Sequence, residues 1–297
     1  MFNLATDENK ETKEIMMTLL HLLISFGGGV FAATIGALGA FIFVGFTGLV
    51  GIGVMLGGGD ATILNEIAFG GYFGPHIAFA GGVAAVAFAA NKKKLMGDAN
   101  GTDIVAPMFG LGDPTVLLVG GFFGTLGYAI NYLLSTVLVI QTDTIALTVV
   151  ISGLIVRLIF GKTGLIGTFD GSKGETRRYF PEGKFFLFML ILAAGLGLVV
   201  SNMAIALNIA AIGFTISAAS LIFAEMGLPV PGTHHITMIA GLAAVSSGDP
   251  YIGMAFGILS MIVGEVFTLV FNSHNDTHID PPAGAIFICS FIILAIF

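Results

Sequence analysis

Apolar residues in this chain run in long blocks rather than alternating with polar ones, and each block is about as long as a bilayer is thick. The blocks lie near 15–34, 35–57, 67–90, 114–140 and 143–160, and again near 185–203, 204–224, 232–247, 251–271 and 282–297. A helix needs about 20 mostly apolar residues to cross a membrane, and fewer suffice for broken or re-entrant pieces. The pattern therefore predicts an all-α polytopic membrane protein with ten spans. Only glycines mark the boundary between the first two. Polar stretches divide the chain into a tail over 1–14, a membrane repeat over 15–160, a basic linker over 161–184 and a second membrane repeat over 185–297.

The two sets of five resemble each other. "VGFTGLVGIGVML" (44–56) matches "IGFTISAASLIFA" (212–224), and "FGPHIAFAGGVAA" (73–85) resembles "PGTHHITMIAGLAA" (231–244). "GDPTVLLVGGFFGTLGY" (112–128) matches "GDPYIGMAFGILSMIVGE" (248–265) with one gap, and "QTDTIAL" (141–147) takes the place of "HNDTHID" (274–280). Four matches in the same order indicate an internal duplication, with an insertion, "NKKKLMGDANGTDIVAPMFGL", in the first copy. Five spans is an odd number, so the second copy is expected inverted relative to the first, a common plan in secondary transporters. Were the first two spans one long helix, the copies would be parallel.

Lys92, Lys93 and Lys94 fall in one loop, and Lys162, Lys173, Arg177, Arg178 and Lys184 in the central linker. The excess of basic residues in cytoplasmic loops assigns both to the inside and the N-terminus to the outside of a cell (plasma or inner) membrane. Arg157, near the end of its span, is expected to snorkel to the cytoplasmic face.

Composition agrees: 56% of the 297 residues are hydrophobic, 10% are charged and mean hydropathy is +1.00, against about 25% charged in soluble domains. The few Lys and Arg argue against a nucleic-acid partner. The single cysteine, Cys289, excludes an internal disulfide and reads as a packing residue. There is no phosphate loop, paired-cysteine set or nucleophile elbow, so no enzymatic activity and no cofactor are expected. The implied partners are the lipid bilayer and a small ion or polar solute, and a homo-oligomer is compatible with these spans.

Polar residues at membrane depth are the candidate chemistry. "GGYFGPH" and "GLPVPGTHH" interrupt apolar sequence at matching places, and paired breaks of this kind point to a transport site. Each is followed by histidine: His76 in one copy, His234 and His235 in the other, with the Thr233 hydroxyl alongside. Glu265 stands inside an apolar span, where a carboxylate must be paired, protonated or hydrated. Asp113 and Asp249 occupy matched helix starts. A second group, His274, Asp276, His278 and Asp280, alternates along "NSHNDTHIDPPAGA" and would share one face of an extended segment. Such groups bind metal or carry protons, or line a solvated turn. Pro281 and Pro282 suit a helix N-terminus, with Asp280 as its cap, and such a terminus can attract an anion.

"HIDPPAGAIFI" is similar to the signature region of the HPP family of integral membrane proteins, in which His-Pro-Pro precedes a small-residue membrane segment. The resemblance covers about a dozen residues, and Asp280 stands where that family has His. It implies an anion-conducting role, since members of that family have been linked to nitrite transport. The residues themselves point to a transporter coupled to protons or a cation at a site between the repeats. A passive channel for a small anion or neutral solute and a non-transporting subunit of a larger complex stay open beside it.

Overall fold

A computed structural model describes residues 18–97, 99–174 and 176–297; the tail over 1–14 and the expected outer position of the N-terminus lie outside the described residues. The fold is helical, with no strand among the described residues. In chain order the helices are α1 (Leu19–Ile35), α2 (Ala37–Leu56), α3 (Ala78–Phe88), α4 (Pro114–Tyr132), α5 (Thr144–Phe160), α6 (Gly183–Leu207), α7 (Ile212–Ser220), a single turn α8 (Ile222–Glu225), α9 (His234–Ser247), α10 (Pro250–Phe271) and α11 (Pro281–Ile296). Each predicted apolar block holds a helix. Four are long and apolar enough to cross a membrane, over Ala37–Leu56, Pro114–Val137, Gly183–Leu207 and Pro250–Phe271, and the others are shorter.

The weak boundary between the first two blocks is a true break. Gly36 takes φ +96°, and a Cβ there would lie 2.6 Å from the Val105 carbonyl oxygen. The chain folds back, and Phe31 of α1 meets Phe43 of α2 at 5.6 Å between ring centroids. The inserted segment closes this corner from below, with Ile104 accepting from the Leu38 amide and Met108 donating to the Ala33 carbonyl.

Small residues set the helix crossings. Gly29 of α1, Gly81 of α3 and Gly120 of α4 meet so closely that a Cβ on Gly81 would lie 2.7 Å from the Gly29 Cα. Gly197 of α6, Ala240 of α9 and Gly257 of α10 meet in the same way, with a Cβ on Gly257 3.2 Å from the Ala240 Cβ. Without a Cβ the helix backbones approach to contact, which favours packing where lipid gives no hydrophobic drive between helices.

Between the two sets, α2 runs against α7, with Gly45 beside Ala219 and Gly48 beside Thr215. Rising number on one helix meets falling number on the other, so the pair is antiparallel. The α5–α11 pair is antiparallel too. Ser290 Oγ accepts from the Asp143 amide at 2.9 Å, and Gly153 packs on Ile279. An apolar core of Phe41, Phe79, Val149, Phe214, Met238 and Ile286, among others, fills the space between the sets.

Lys93 pairs with Asp113 at 2.9 Å, and the linker after α5 meets the α10–α11 connection. The two basic loops therefore share one end of the bundle, the basic end. Here Arg157, only 2% exposed, does not snorkel as the sequence suggested. Its guanidinium donates to Thr277 Oγ1 (2.9 Å), the Thr277 carbonyl (2.6 Å), the Phe271 carbonyl (2.6 Å) and the Leu165 carbonyl (2.8 Å). A buried guanidinium is tolerable only when its donors are matched in this way.

Candidate functional site

α3 and α9 both begin inside the bundle. The chain enters each through an irregular segment, because Pro75, Pro229 and Pro231 cannot continue a helix. Gly127, against which the His76 backbone packs, lies thirteen residues past Pro114; Gly264, against which the His235 ring packs, lies fourteen past Pro250. At about 1.5 Å per residue, both breaks sit roughly 20 Å along their supporting helices. α4 starts at the basic end and α10 at the far end, so the His76 break lies roughly 20 Å from the basic end and the His235 break roughly 20 Å from the far end; both are inside the bundle, at different levels.

His76, His234 and His235 are 1%, 7% and 6% exposed, and the Nδ1 atom of each has no hydrogen-bond partner. In both breaks the ring turns back on the glycine two positions earlier: a Cβ on Gly74 would lie 2.8 Å from His76 Nδ1, and one on Gly232 3.9 Å from His234 Nδ1. The surroundings differ. His76 is buried, and no ionisable group acts on it. His234 lies between Phe41 (4.6 Å between centroids) and Phe214 (5.8 Å), with His235 at 6.1 Å. Thr233 and Thr237 both donate to Ser217 Oγ at 3.1 Å, all three hydroxyls being buried. The His235 carbonyl accepts from Ser260 at 3.0 Å.

The second candidate group splits in two. His278 Nε2 lies 3.2 Å from Asp280 Oδ1, and its Nδ1 lies 3.3 Å from Asn272 Nδ2. The Asp280 carboxylate acts through space on His234 and His235. Among the described residues no hydrogen bond or ion pair joins the His278–Asp280 pair to His234 or His235; the link between the two stretches is electrostatic alone. A narrow crevice, closed to water and lined by Phe79, Ala80, Val83, Val149 and Gly153, reaches His278 and Asp280. His274 and Asp276 stay at the basic end, where Phe169 stacks edgewise on His274 and Asp276 accepts from the Lys162 amide and Thr163 Oγ1. The alternating residues therefore do not share one face, because the segment curls under the Arg157 clamp. Among the described residues no group of three or more His, Cys, Asp or Glu could hold a metal ion.

Asp280 caps α11 by accepting from the Ala283 amide at 2.7 Å. Pro281 and Pro282 bring no amide hydrogen, so the anion site expected at that helix start is already closed. At α3 the Gly74 carbonyl accepts from the Ile77 and Ala78 amides, which closes the start near Pro75 as well. Asp143 caps α5 through Ala146 as Asp280 caps α11 through Ala283. The capping register thus pairs Asp143 with Asp280, not with Asp276 as letter matching suggested. Asp113 and Asp249 are likewise helix caps, bonded to the Thr115 and Tyr251 amides, at the ends of their helices and away from the histidines. Hydrogen bonds from Thr115, and then the contact with Lys93, hold the Asp113 carboxyl down at about 2.

Glu265 follows Gly264 on α10 and is partly buried, and no hydrogen bond or ion pair joins it to the histidines. No polar contact links His76 to His234 or His235 either. The space between the repeats, where the sequence placed a transport site, is filled by the core around Phe41, Phe79 and Phe214. Ser217 belongs to the site and escaped the sequence reading, because it sits in a run that reads as packing; Asn272, the first residue of the alternating stretch, joins the site through His278.

The chain belongs to a family of proteins that a shared family model defines and whose function is unknown (DUF7973). The model matches residues 11–176 and 176–297, so the two matched segments meet within the central linker. No curated protein and no solved structure matches the chain.

Proposed function

We propose that this chain is a membrane transporter for a small ion or polar solute, coupled to protons or a cation, and built from two inverted five-helix repeats. One observation carries the reading. Two nine-tenths-buried histidines with unpartnered nitrogens stand at a helix break inside the bundle, beside buried hydroxyls and under the field of a buried Asp–His pair. Ionisable groups at membrane depth mark ion and proton pathways. Irregular backbone there is tolerated only beside protein or water.

Several features support inversion. The helix-capping aspartates, the triple small-residue crossings and the Gly-x-His turns recur in register, and corresponding helices pack antiparallel. The basic end is the cytoplasmic end in this reading. In a Cys289→Ala background, a cysteine at position 93 is expected to react with impermeant reagent only from the inner side.

Purified protein in liposomes tests the function. Saturable solute uptake driven by a proton or sodium gradient is the expected result. Uptake that ignores both gradients contradicts coupling, and absence of any solute flux contradicts transport.

A further inference from the structure

We propose that the start of α9 binds a small monovalent anion, a carboxylate or oxyanion, and that this anion moves together with a proton carried by His234. The proposal rests on the transport reading above and names its substrate class.

The first four amides of a helix lack intrahelical acceptors, and the helix dipole adds positive potential there. In α9 the first helical bond is donated by Thr237 to the Thr233 carbonyl, and no side chain caps the amides of His234, His235 and Ile236. α4, α5, α10 and α11 differ, each having an aspartate that fills the corresponding place. At α9 the buried Nδ1 of His234 faces back onto Gly232 with no partner. The Thr233 hydroxyl, one residue earlier, donates to Ser217 Oγ at 3.1 Å. A Cβ on Gly232 would meet only the His234 ring, at 3.8 and 3.9 Å, so the backbone leaves room before the helix start. Phe41 and Phe214 wall the other sides. The residues leading in, 226–231, are exposed, while Thr233 is 7% exposed, so the site lies directly beneath an open segment.

Charge decides what can enter. Asp280 acts on His234 from the side of α11, with His278 behind it, and His235 stands next along α9. α2 and α7 contribute Phe41, Phe214 and Ser217, none of them ionisable. An anion alone would add a second negative charge near Asp280. An anion arriving with a proton on His234 adds no net charge and places the imidazolium between two anions. A metal cation fits less well, because hard cations need a shell of oxygens, whereas free amides and ring nitrogens converge here.

The test uses the full chain in liposomes with labelled formate as probe, and acetate and nitrate as competitors. An inward proton gradient should drive saturable formate uptake. Clamping the membrane potential should not change it, since the moving pair is neutral. His234→Gln should lower uptake about tenfold or more and flatten its pH profile, and Thr233→Val should raise KM by a similar factor, as loss of a hydrogen bond to a charged group does. Should His234→Gln fail to fold, Thr233→Val decides. His76→Gln should leave KM unchanged. Formate uptake without proton dependence would overturn the coupling. Uptake of sodium or a neutral solute with no anion would overturn the proposal and leave the transport reading standing. No flux of any probe would remove both.

Discussion

At Gly74-Pro75-His76 and at Gly232-Thr233-His234 the chain makes the same move. It arrives irregularly inside the bundle, turns on a glycine, buries a histidine and starts a helix. In the first break the helix amides are tied to the Gly74 carbonyl and no ionisable group acts on the ring. In the second no side chain caps the amides, three hydroxyls gather, and Asp280 acts on the ring through space. The first break packs against α4, and in the transport reading proposed above the second keeps polar groups ready for a ligand. The difference comes from few residues: proline against threonine before the histidine, and glutamine (Gln141) against histidine (His278) two positions before the last capping aspartate.

The same asymmetry appears where α5 and α11 end, and there the expected effect of mutation is largest. Arg157 corresponds to the exposed Leu294 in the capping register. Arg157→Ala should cost about 3–5 kcal/mol, because it strips charged donors from the Thr277 hydroxyl and carbonyl and from the part-buried Phe271 and Leu165 carbonyls. Leu294→Ala should cost well under 1 kcal/mol by thermal unfolding in detergent. Equal losses would show that the clamp contributes nothing of its own.

Gly127 and Gly264 sharpen the contrast between the breaks. A Cβ on Gly127 would overlap the His76 carbonyl, which is backbone and cannot step aside, whereas one on Gly264 would lie 2.9 Å from the His235 ring. Gly127→Ala should destabilise by about 1–3 kcal/mol. Gly264→Ala should destabilise less but disturb solute affinity more. The reverse order in a melting and uptake comparison would contradict this assignment of roles.

The smallest effect concerns the capping aspartates. The depressed Asp113 carboxyl, about 2 when folded, favours the folded state above the ordinary carboxylate range. That contribution should fade as pH falls from about 4 through about 2. Asp113→Asn should remove the fading without altering uptake at neutral pH. Melting temperatures measured across that range check it, and an unchanged acid profile in the variant would refute it.

Much of this was legible in the sequence, because local physics fixes it. The apolar blocks, the breaks at Pro75 and Pro231, and Asp280 as a cap depend on neighbours along the chain. What failed depended on distant partners. Arg157 reads as a snorkelling residue until Thr277 and Phe271 are seen around it. His278 and Asp280 read as one group with His274 and Asp276, binding metal or protons or lining a solvated turn, until the Arg157 clamp is seen to split the segment. The letters "DT" at 143–144 and 276–277 suggested one register, and the caps impose another, four residues away. Ser217 gave no signal at all, since a hydroxyl amid Ala and Ile acquires meaning only from Thr233 and Thr237.

The Arg157 clamp also bears on how the protein is made. Its acceptors at Phe271 and Thr277 are synthesised 114 and 120 residues later. At about 5–20 residues per second that delay is roughly 6–24 s. During this interval α5 is complete and its guanidinium lacks most of its native acceptors, so the helix end must wait at the membrane surface. Final seating of the first half then follows translation of the second. A chain cut short before Phe271 would keep an unmatched charge at the end of α5, a molecular sign of incompleteness that membrane quality control could read.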